Sequence, residues 1–394
     1  MSETSADLSS RQPTASVTPK QPAAATEAEQ RAERRAHIEA KQEWVAQWLR
    51  ERDCERLLVL EPANVAWLSG LSVADILDPD TEPGVWFSAA DRWLVCSNVD
   101  SQWFFDRELS GMGFRLKEWS WEQGRGGMLR LLCQDKKTAC DRPLSECIAV
   151  GDALRLARRR LSVYECGRYR SLGHGLSHAL EATCRSITPE MTEQEAAAQL
   201  CHRLARRGMM PLAIGVHNQD NGQRYRRPGC SAQPVGAVCQ LTATARKYGL
   251  CATASRMVSF GPPPDQVRHD FDAACRVTAT YIASTWPDSV PERIFQAGQR
   301  VYQVTKHEFE WRLSPPGFVT GWAPVELPLL PHTEELLQND WALTWQARVG
   351  VAVSCDTFLI TANGPKLLTP TEHWPLKRIR IQGATMIRPS ILQR

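Results

Sequence analysis

The residues here that can do nucleophilic or acid–base work are few and scattered. Cys355 is a candidate nucleophile, and His332 is the one plausible base from the same half of the chain. A thiol in an apolar strand is also what a small buried residue looks like, which is the simpler reading. His217 and His269 are candidate bases. The first ends a strand and the second sits on a helix, and a surface or capping role suits each. Trp311, Trp322, Trp341 and Trp345 crowd one region and could stack on a ligand, but core packing accounts for most such tryptophans. Cys133, Cys140 and Cys147 are evenly spaced, without a Cys-x-x-Cys step or a nearby His cluster, so they read as buried small residues and not as a zinc site. No phosphate loop, dinucleotide fingerprint or serine elbow is present.

Bulk properties narrow the class. The chain has 394 residues, 43% hydrophobic and 23% charged, an ordinary globular profile with room for two domains. A net charge of +3 is too small to imply nucleic acid or an anionic membrane. The densest basic run, from Arg155 through Arg158, Arg159 and Arg160, could bind phosphate; a solvated helix face beside a domain joint is the simpler reading. No apolar run approaches a membrane span, and the N-terminus lacks the apolar core of a signal peptide. The 13 cysteines are therefore read as reduced thiols in a cytoplasm.

The elements that must position these residues follow from caps, turns and periodicity. Residues 1–25 cannot bury enough apolar surface to offset chain entropy, so a disordered tail is expected. Thr26 and Glu29 form a capping box for a helix to about Arg52, with Ile38, Val45, Trp48 and Leu49 inward. A strand over 57–60 stops at Glu61-Pro62, and Asn64 should cap a short helix to Gly70. Strands over 85–87, 93–96, 114–119 and 138–141, with helices near 102–109, 126–132 and 153–160, predict a mixed α/β domain over about 26–161. Ser162 and Glu165 open a long helix to about Ile187; Thr192 caps another to about Arg207, ended by Gly208. A strand over 212–216 and a polar loop over 218–227 precede two strands, 238–241 and 251–260, joined through Lys247-Tyr248-Gly249. Helices over 267–285 and 291–304, a rigid loop over 314–322, and strands over 324–330, 341–349 and 354–361 complete the expectation.

Three phrases in this frame are similar to one family. They are Gly249-Leu250-Cys251-Ala252-Thr253-Ala254-Ser255-Arg256 with Phe260-Gly261, then Pro189-Glu190-Met191-Thr192-Glu193-Gln194-Glu195 after a long helix, and the early Asn64-Val65-Ala66-Trp67-Leu68-Ser69-Gly70. They resemble the creatinase / Xaa-Pro aminopeptidase (aminopeptidase P) / methionine aminopeptidase superfamily, the pita-bread fold. One departure is Glu190, where the family has glycine. The resemblance implies an α/β (α+β) protein: a mixed α/β N-terminal domain over 26–161, then a pita-bread domain over 162–394 with a C-terminal extension.

The peptidases of that family hold two divalent metals with two Asp, one His and two Glu. The resemblance places these ligands at Thr242 and Thr253, eleven residues apart, at Ser314 or Pro315, at Gln346 and at Cys355. None is a carboxylate or an imidazole. Neutral hydroxyls cannot offset the repulsion between two dications, and one thiolate is too few for a closed site. In the metal-free hydrolase creatinase a His precedes a proline; here that step is Arg227-Pro228. Arginine stays protonated and cannot act as a base, though it could clamp a carboxylate. Arg256 matches the family's Thr-Arg and is expected to anchor the hairpin. The expected ligand pocket is Arg227, His217, Arg256, Trp322 and Trp345, with no metal and no cofactor. The reading is a degenerate member whose task is binding or assembly. Metal-independent C–N bond hydrolysis and ordinary Xaa-Pro cleavage are the alternatives. The expected partners are a small molecule or peptide, without nucleic acid or membrane, and the family implies a homodimer.

Overall fold

The structure, a computed structural model, describes residues 26–71, 81–134, 137–145, 147–381 and 383–394. The tail expected over residues 1–25 lies outside them. The chain opens on α1 (Glu27–Glu51), whose start is the expected capping box: Thr26 accepts from the Glu29 N–H and the Glu29 carboxylate accepts in return. Ile38, Val45, Trp48 and Leu49 face the core. Then come β1 (Arg56–Val59), α2 (Pro62–Ser69), β2 (Gly84–Ser88), β3 (Arg92–Ser97), β4 (Arg115–Trp119), α3 (Gly126–Cys133), β5 (Thr138–Cys140), β6 (Ile148–Ala149) and α4 (Gly151–Arg158). The strands form one mixed sheet in the order β4-β3-β2-β1-β5-β6. Two local expectations fail. Pro62, with its fixed φ and no N–H, starts α2, so Asn64 lies inside the helix and is buried instead of capping it. Residues 103–108 wind as a π-helical turn in place of an α-helix.

The second part begins with two capped helices, α5 (Val163–Ser186) and α6 (Glu193–Ala205), each with its expected capping box. It continues through β7 (Met210–Asn218), α7 (Gln219–Arg224), β8 (Val238–Lys247), β9 (Leu250–Ser259), α8 (Asp265–Ala283) and α9 (Pro291–Val304). The remaining elements are β10 (Gly317–Thr320), β11 (Leu327–Pro328), β12 (Ala342–Val349), β13 (Ala352–Leu359), β14 (Lys366–Leu367), β15 (Leu376–Ile381), β16 (Ala384–Pro389) and β17 (Ile391–Gln393). One sheet has the order β17-β9-β8-β7, a second β11-β10-β12-β13-β14, and β15 pairs with β16. The β8–β9 hairpin closes on a two-residue turn, Tyr248 and Gly249 at φ +56° and +79°, with Lys247 opposite Leu250. Positive φ at both turn residues matches the right-handed twist of the strands. The polar stretch after β7 proves to be partly helical, with Asn218 capping α7, and the segment expected as a rigid loop carries β10.

In the Arg155–Arg160 run the outer arginines are solvated as expected, Arg155 49% and Arg160 75% exposed, but Arg158 and Arg159 are drawn into ion pairs, which corrects the expectation for those two. Arg158 is 2% exposed; its Nε and Nη2 grip the Glu326 carboxylate and its Nη1 donates to Asn64 Oδ1 at 2.6 Å. Arg159 pairs with Glu335 at 2.6 Å. A second buried pair links α1 to α5: Lys41 Nζ lies 2.9 Å from Glu165 Oε1, with His37 Nε2 at 3.4 Å. Burial would push the Glu165 carboxyl up, but Lys41 and His37 outweigh it and hold the group at about 2. Its contribution is complete above the usual carboxylate range and is lost as pH falls from there toward about 2. Lys41→Met is expected to cost about 3–5 kcal/mol at pH 7 in urea denaturation, because it strands a buried carboxylate. The variant should also lose less stability than the wild type on acidification.

Candidate functional site

Between β7, β8 and β9 on one side and β10, β12 and β13 on the other lies a cleft of about 360 Å³, a size suited to a small molecule. β8 and β9 contribute Gln240, Thr242, Thr244 and Thr253, and β7 contributes Gly215 and His217. The loop after α7 brings Arg226, Arg227 and Pro228, Ser314 and Pro315 come before β10, and β12 supplies Gln346 and Arg348. The titratable groups among the described lining residues are His217 and the three arginines; no Asp or Glu lines the cleft. Among the described residues no three of His, Cys, Asp and Glu converge to hold a metal ion.

A hydroxyl network sets the floor. Thr244 and Thr253 are cross-strand partners with Oγ1 atoms 2.9 Å apart. Thr357 of β13 accepts from the Thr253 N–H at 3.0 Å and donates to the Thr253 carbonyl at 2.8 Å, and Thr344 lies 3.0 Å from the same hydroxyl. Gln240 donates to Thr242. Two hydroxyl pairs, one in each sheet, are thus joined through the Thr253 backbone, while the charged work falls to other groups.

The cations differ in how they are committed. Arg226 makes a two-pronged pair with Glu310, at 2.7 and 3.1 Å. Arg348 donates to the carbonyls of Gly222, Tyr225, Arg226 and Gly350, so it props the loop from beneath. Burial first, then Arg226, lowers its guanidinium to about 10, with Glu310 opposing. Arg227 is exposed and makes no hydrogen bond or ion pair among the described residues. His217 is 6% exposed, and its Nδ1 has no hydrogen-bond partner. Burial chiefly pushes the imidazole below its ordinary range, and Arg348 adds to this against Glu193. Its ring lies over Gly215, where a Cβ would come within 2.9 Å of Nε2.

Glu193 positions the whole loop. Its buried carboxylate accepts from the backbone N–H of Asn218 at 2.7 Å and of Ser231 at 2.8 Å, from Asn221 Nδ2 at 3.0 Å and from Ser231 Oγ at 2.7 Å. Four donors on one buried carboxylate tie both ends of the Arg226–Arg227 loop to the start of α6. Sequence reasoning missed this role, although Glu193 stands inside the quoted Pro-Glu-Met-Thr-Glu-Gln-Glu phrase. It also missed Thr244 and Arg348, which strand alternation from Thr242 and Gln346 could have reached.

Of the residues expected at the pocket, the cleft gathers His217, Arg227, Thr242, Thr253, Ser314, Pro315 and Gln346. Four others lie elsewhere. Arg256 is 1% exposed and is tied to Asp356 at 2.9 Å, Ser177 and the Thr369 carbonyl. Trp345 donates to Thr285 at 2.9 Å and packs on Tyr281 in the core. Trp322 covers the Tyr248–Gly249 turn and lines a separate cavity of about 150 Å³. Cys355 is fully buried, burial pushes its thiol well up, and His332 is exposed, so a Cys–His pair is not formed. His269 is exposed on α8. Trp341 is buried under Arg159, and Trp311 meets Phe295 edge-on.

The family model of Metallopeptidase family M24 matches residues 168–328. The prolidase from Pyrococcus horikoshii superposes with a TM-score of 0.71 at 15% identity, over 84% of this chain and 99% of that one. Dipeptidase PepE from Mycobacterium ulcerans gives 0.71 at 14% identity, over 91% and 99%. The N-terminal domain of FACT complex subunit SPT16 from chickpea gives 0.58 at 12%, over 86% and 97%. No curated protein matches the sequence.

If Glu193 holds the loop, Glu193→Gln should loosen the backbone there and open the bonds after Arg224 and Arg226 to trypsin, while the Arg227–Pro228 bond stays resistant. Cleavage in that segment is expected to run at least tenfold faster than in the wild type at equal global stability. Equal cleavage rates would show that other contacts suffice.

Proposed function

We propose that this chain, a member of the creatinase / aminopeptidase P superfamily with the pita-bread fold, uses the cleft to bind a ligand and has lost the dinuclear metal chemistry of that superfamily's peptidases. One observation supports this: the described walls of the cleft hold hydroxyls, two amides, an imidazole and guanidiniums, and no carboxylate. Two divalent ions a few ångströms apart need bridging carboxylates against their mutual repulsion. The guanidiniums of Arg227 and Arg348, which no described acid answers, would add to that repulsion. The residues present therefore do not fit a metal pair. The fold itself is neutral on the question, since it is shared by proteins called prolidases and by a subunit of the FACT complex.

A second reading, metal-free C–N bond hydrolysis, is favoured by one group. His217, the one imidazole among the described lining residues, borders a cleft with room for substrate. Turnover of creatine or of a Xaa-Pro dipeptide that disappears in His217→Ala would favour it over binding alone.

Purified protein dialysed against manganese, cobalt or zinc is expected to retain well under one equivalent by elemental analysis; two equivalents would reject the proposal. The double substitution Thr242→Asp with Thr253→Asp should still show no Xaa-Pro cleavage, because the remaining ligand positions supply no carboxylate. Measurable cleavage by that variant would mean that other acids complete the site.

A further inference from the structure

We propose that the cleft receives a small organic anion without an ammonium group, a carboxylate or a phosphate ester, with Arg227 and His217 as its principal contacts. This rests on the preceding reading that the cleft binds a ligand without a metal pair. The charges of the wall point the same way throughout. Arg226, Arg227 and Arg348 all reach it, and no described lining residue is acidic. Arg226 is answered by Glu310, and Arg348 is spent on four carbonyl oxygens, which orient its charge without cancelling it. Arg227 is exposed and uncommitted among the described residues. A guanidinium of that kind grips a carboxylate or phosphate with two parallel hydrogen bonds.

His217 supplies the second, independent observation. It is more than nine-tenths buried, lines the same cleft and leaves Nδ1 without a partner. The imidazole forms part of the wall beside the Arg348 guanidinium, so an anion in the cleft lies against cationic and hydrogen-bonding groups. The fold makes room for the ring by placing Gly215 beneath it, where any Cβ would strike Nε2. The hydroxyls of Thr242 and Ser314 add donors. A zwitterionic peptide is disfavoured by the same wall, because its ammonium would meet guanidiniums and find no carboxylate.

Titration calorimetry on the full chain tests this with four probes: succinate, glycerol 3-phosphate, the dipeptide Gly-Pro and neutral succinamide. One-to-one binding of at least one anion is expected, weakening as salt rises, with Gly-Pro and succinamide at least about twentyfold weaker. Whichever anion binds more tightly tells carboxylate from phosphate recognition. Arg227→Ala should weaken that anion by about 10- to 100-fold. The residue is exposed, so the variant should keep the wild-type melting temperature. Absence of binding by both anions, equal binding of Gly-Pro or succinamide, or an unchanged constant in Arg227→Ala would each overturn the proposal. Two equivalents of metal alongside intact anion binding would sink only the reading it rests on. Metal-free protein that ignores both anions would sink this one alone.

Discussion

The fold of the second part turns on one carboxylate. Asp356 on β13 lies between two guanidiniums, Arg256 of β9 at 2.9 Å and Arg388 of β16 at 2.6 Å, and takes the Thr369 hydroxyl at 2.8 Å. All three charged groups are 1% exposed. Burying any one of them alone would cost several kcal/mol. Two cations against one anion would still leave an excess, and Glu181 of α5 lies 3.6 Å from Arg256 Nε to answer it. Two positive and two negative charges thus pin β9, β13, β16 and α5 to one another. Because side chains alternate along a strand, Arg256 turned toward this cluster leaves Thr253 to the other face, where the cleft is.

Charge is therefore segregated across the sheets. The acids that matter lie behind the walls: Asp356 and Glu181 in the cluster, Glu193 under the loop, Glu326 and Glu165 where the first and second parts of the chain meet. The cleft is left with hydroxyls and unbalanced cations. In an enclosed space of low dielectric such an imbalance acts more strongly than it would on an open surface. The same topology could house an acidic centre only if acids stood at the lining positions, and Thr242, Thr253 and Gln346 occupy those. Fold and site are separable: one backbone frame can carry linings of different polarity.

Much of the frame could be read in advance because it depends on local chemistry. Three capping boxes, the Tyr248-Gly249 turn and the burial of Ile38, Val45, Trp48 and Leu49 are written in short-range patterns. The site was half legible. His217 could be placed by strand position, and Arg227, Thr242 and Thr253 by the family resemblance, whereas Trp322 and Trp345 could not, because aromatic content does not say which face of a strand a ring takes. Arg388, Glu326 and Glu335 act across more than thirty to more than a hundred and sixty residues of sequence, and no local pattern announces a partner at that distance. The Arg155–Arg160 run shows the limit most directly. A charge run looks solvated until its acids, lying far along the chain, are folded against it. Pro62 displaced Asn64 from its expected cap because a ring that fits the first helical turn outweighs a single side-chain hydrogen bond there.

Gly249 carries a consequence for how this architecture can be divided. A Cβ at that residue would come within 2.7 Å of the Trp322 ring and 3.1 Å of Ala66, which belongs to α2. The tip of the cleft-bearing hairpin is thus clasped between an indole from its own part of the chain and a helix from the other. The second part grafted onto a foreign leader would bare that indole, the Glu326 carboxylate and the hairpin tip together. A chimera between relatives would have to carry Ala66, Asn64 and Arg158 as one cassette with the hairpin they support.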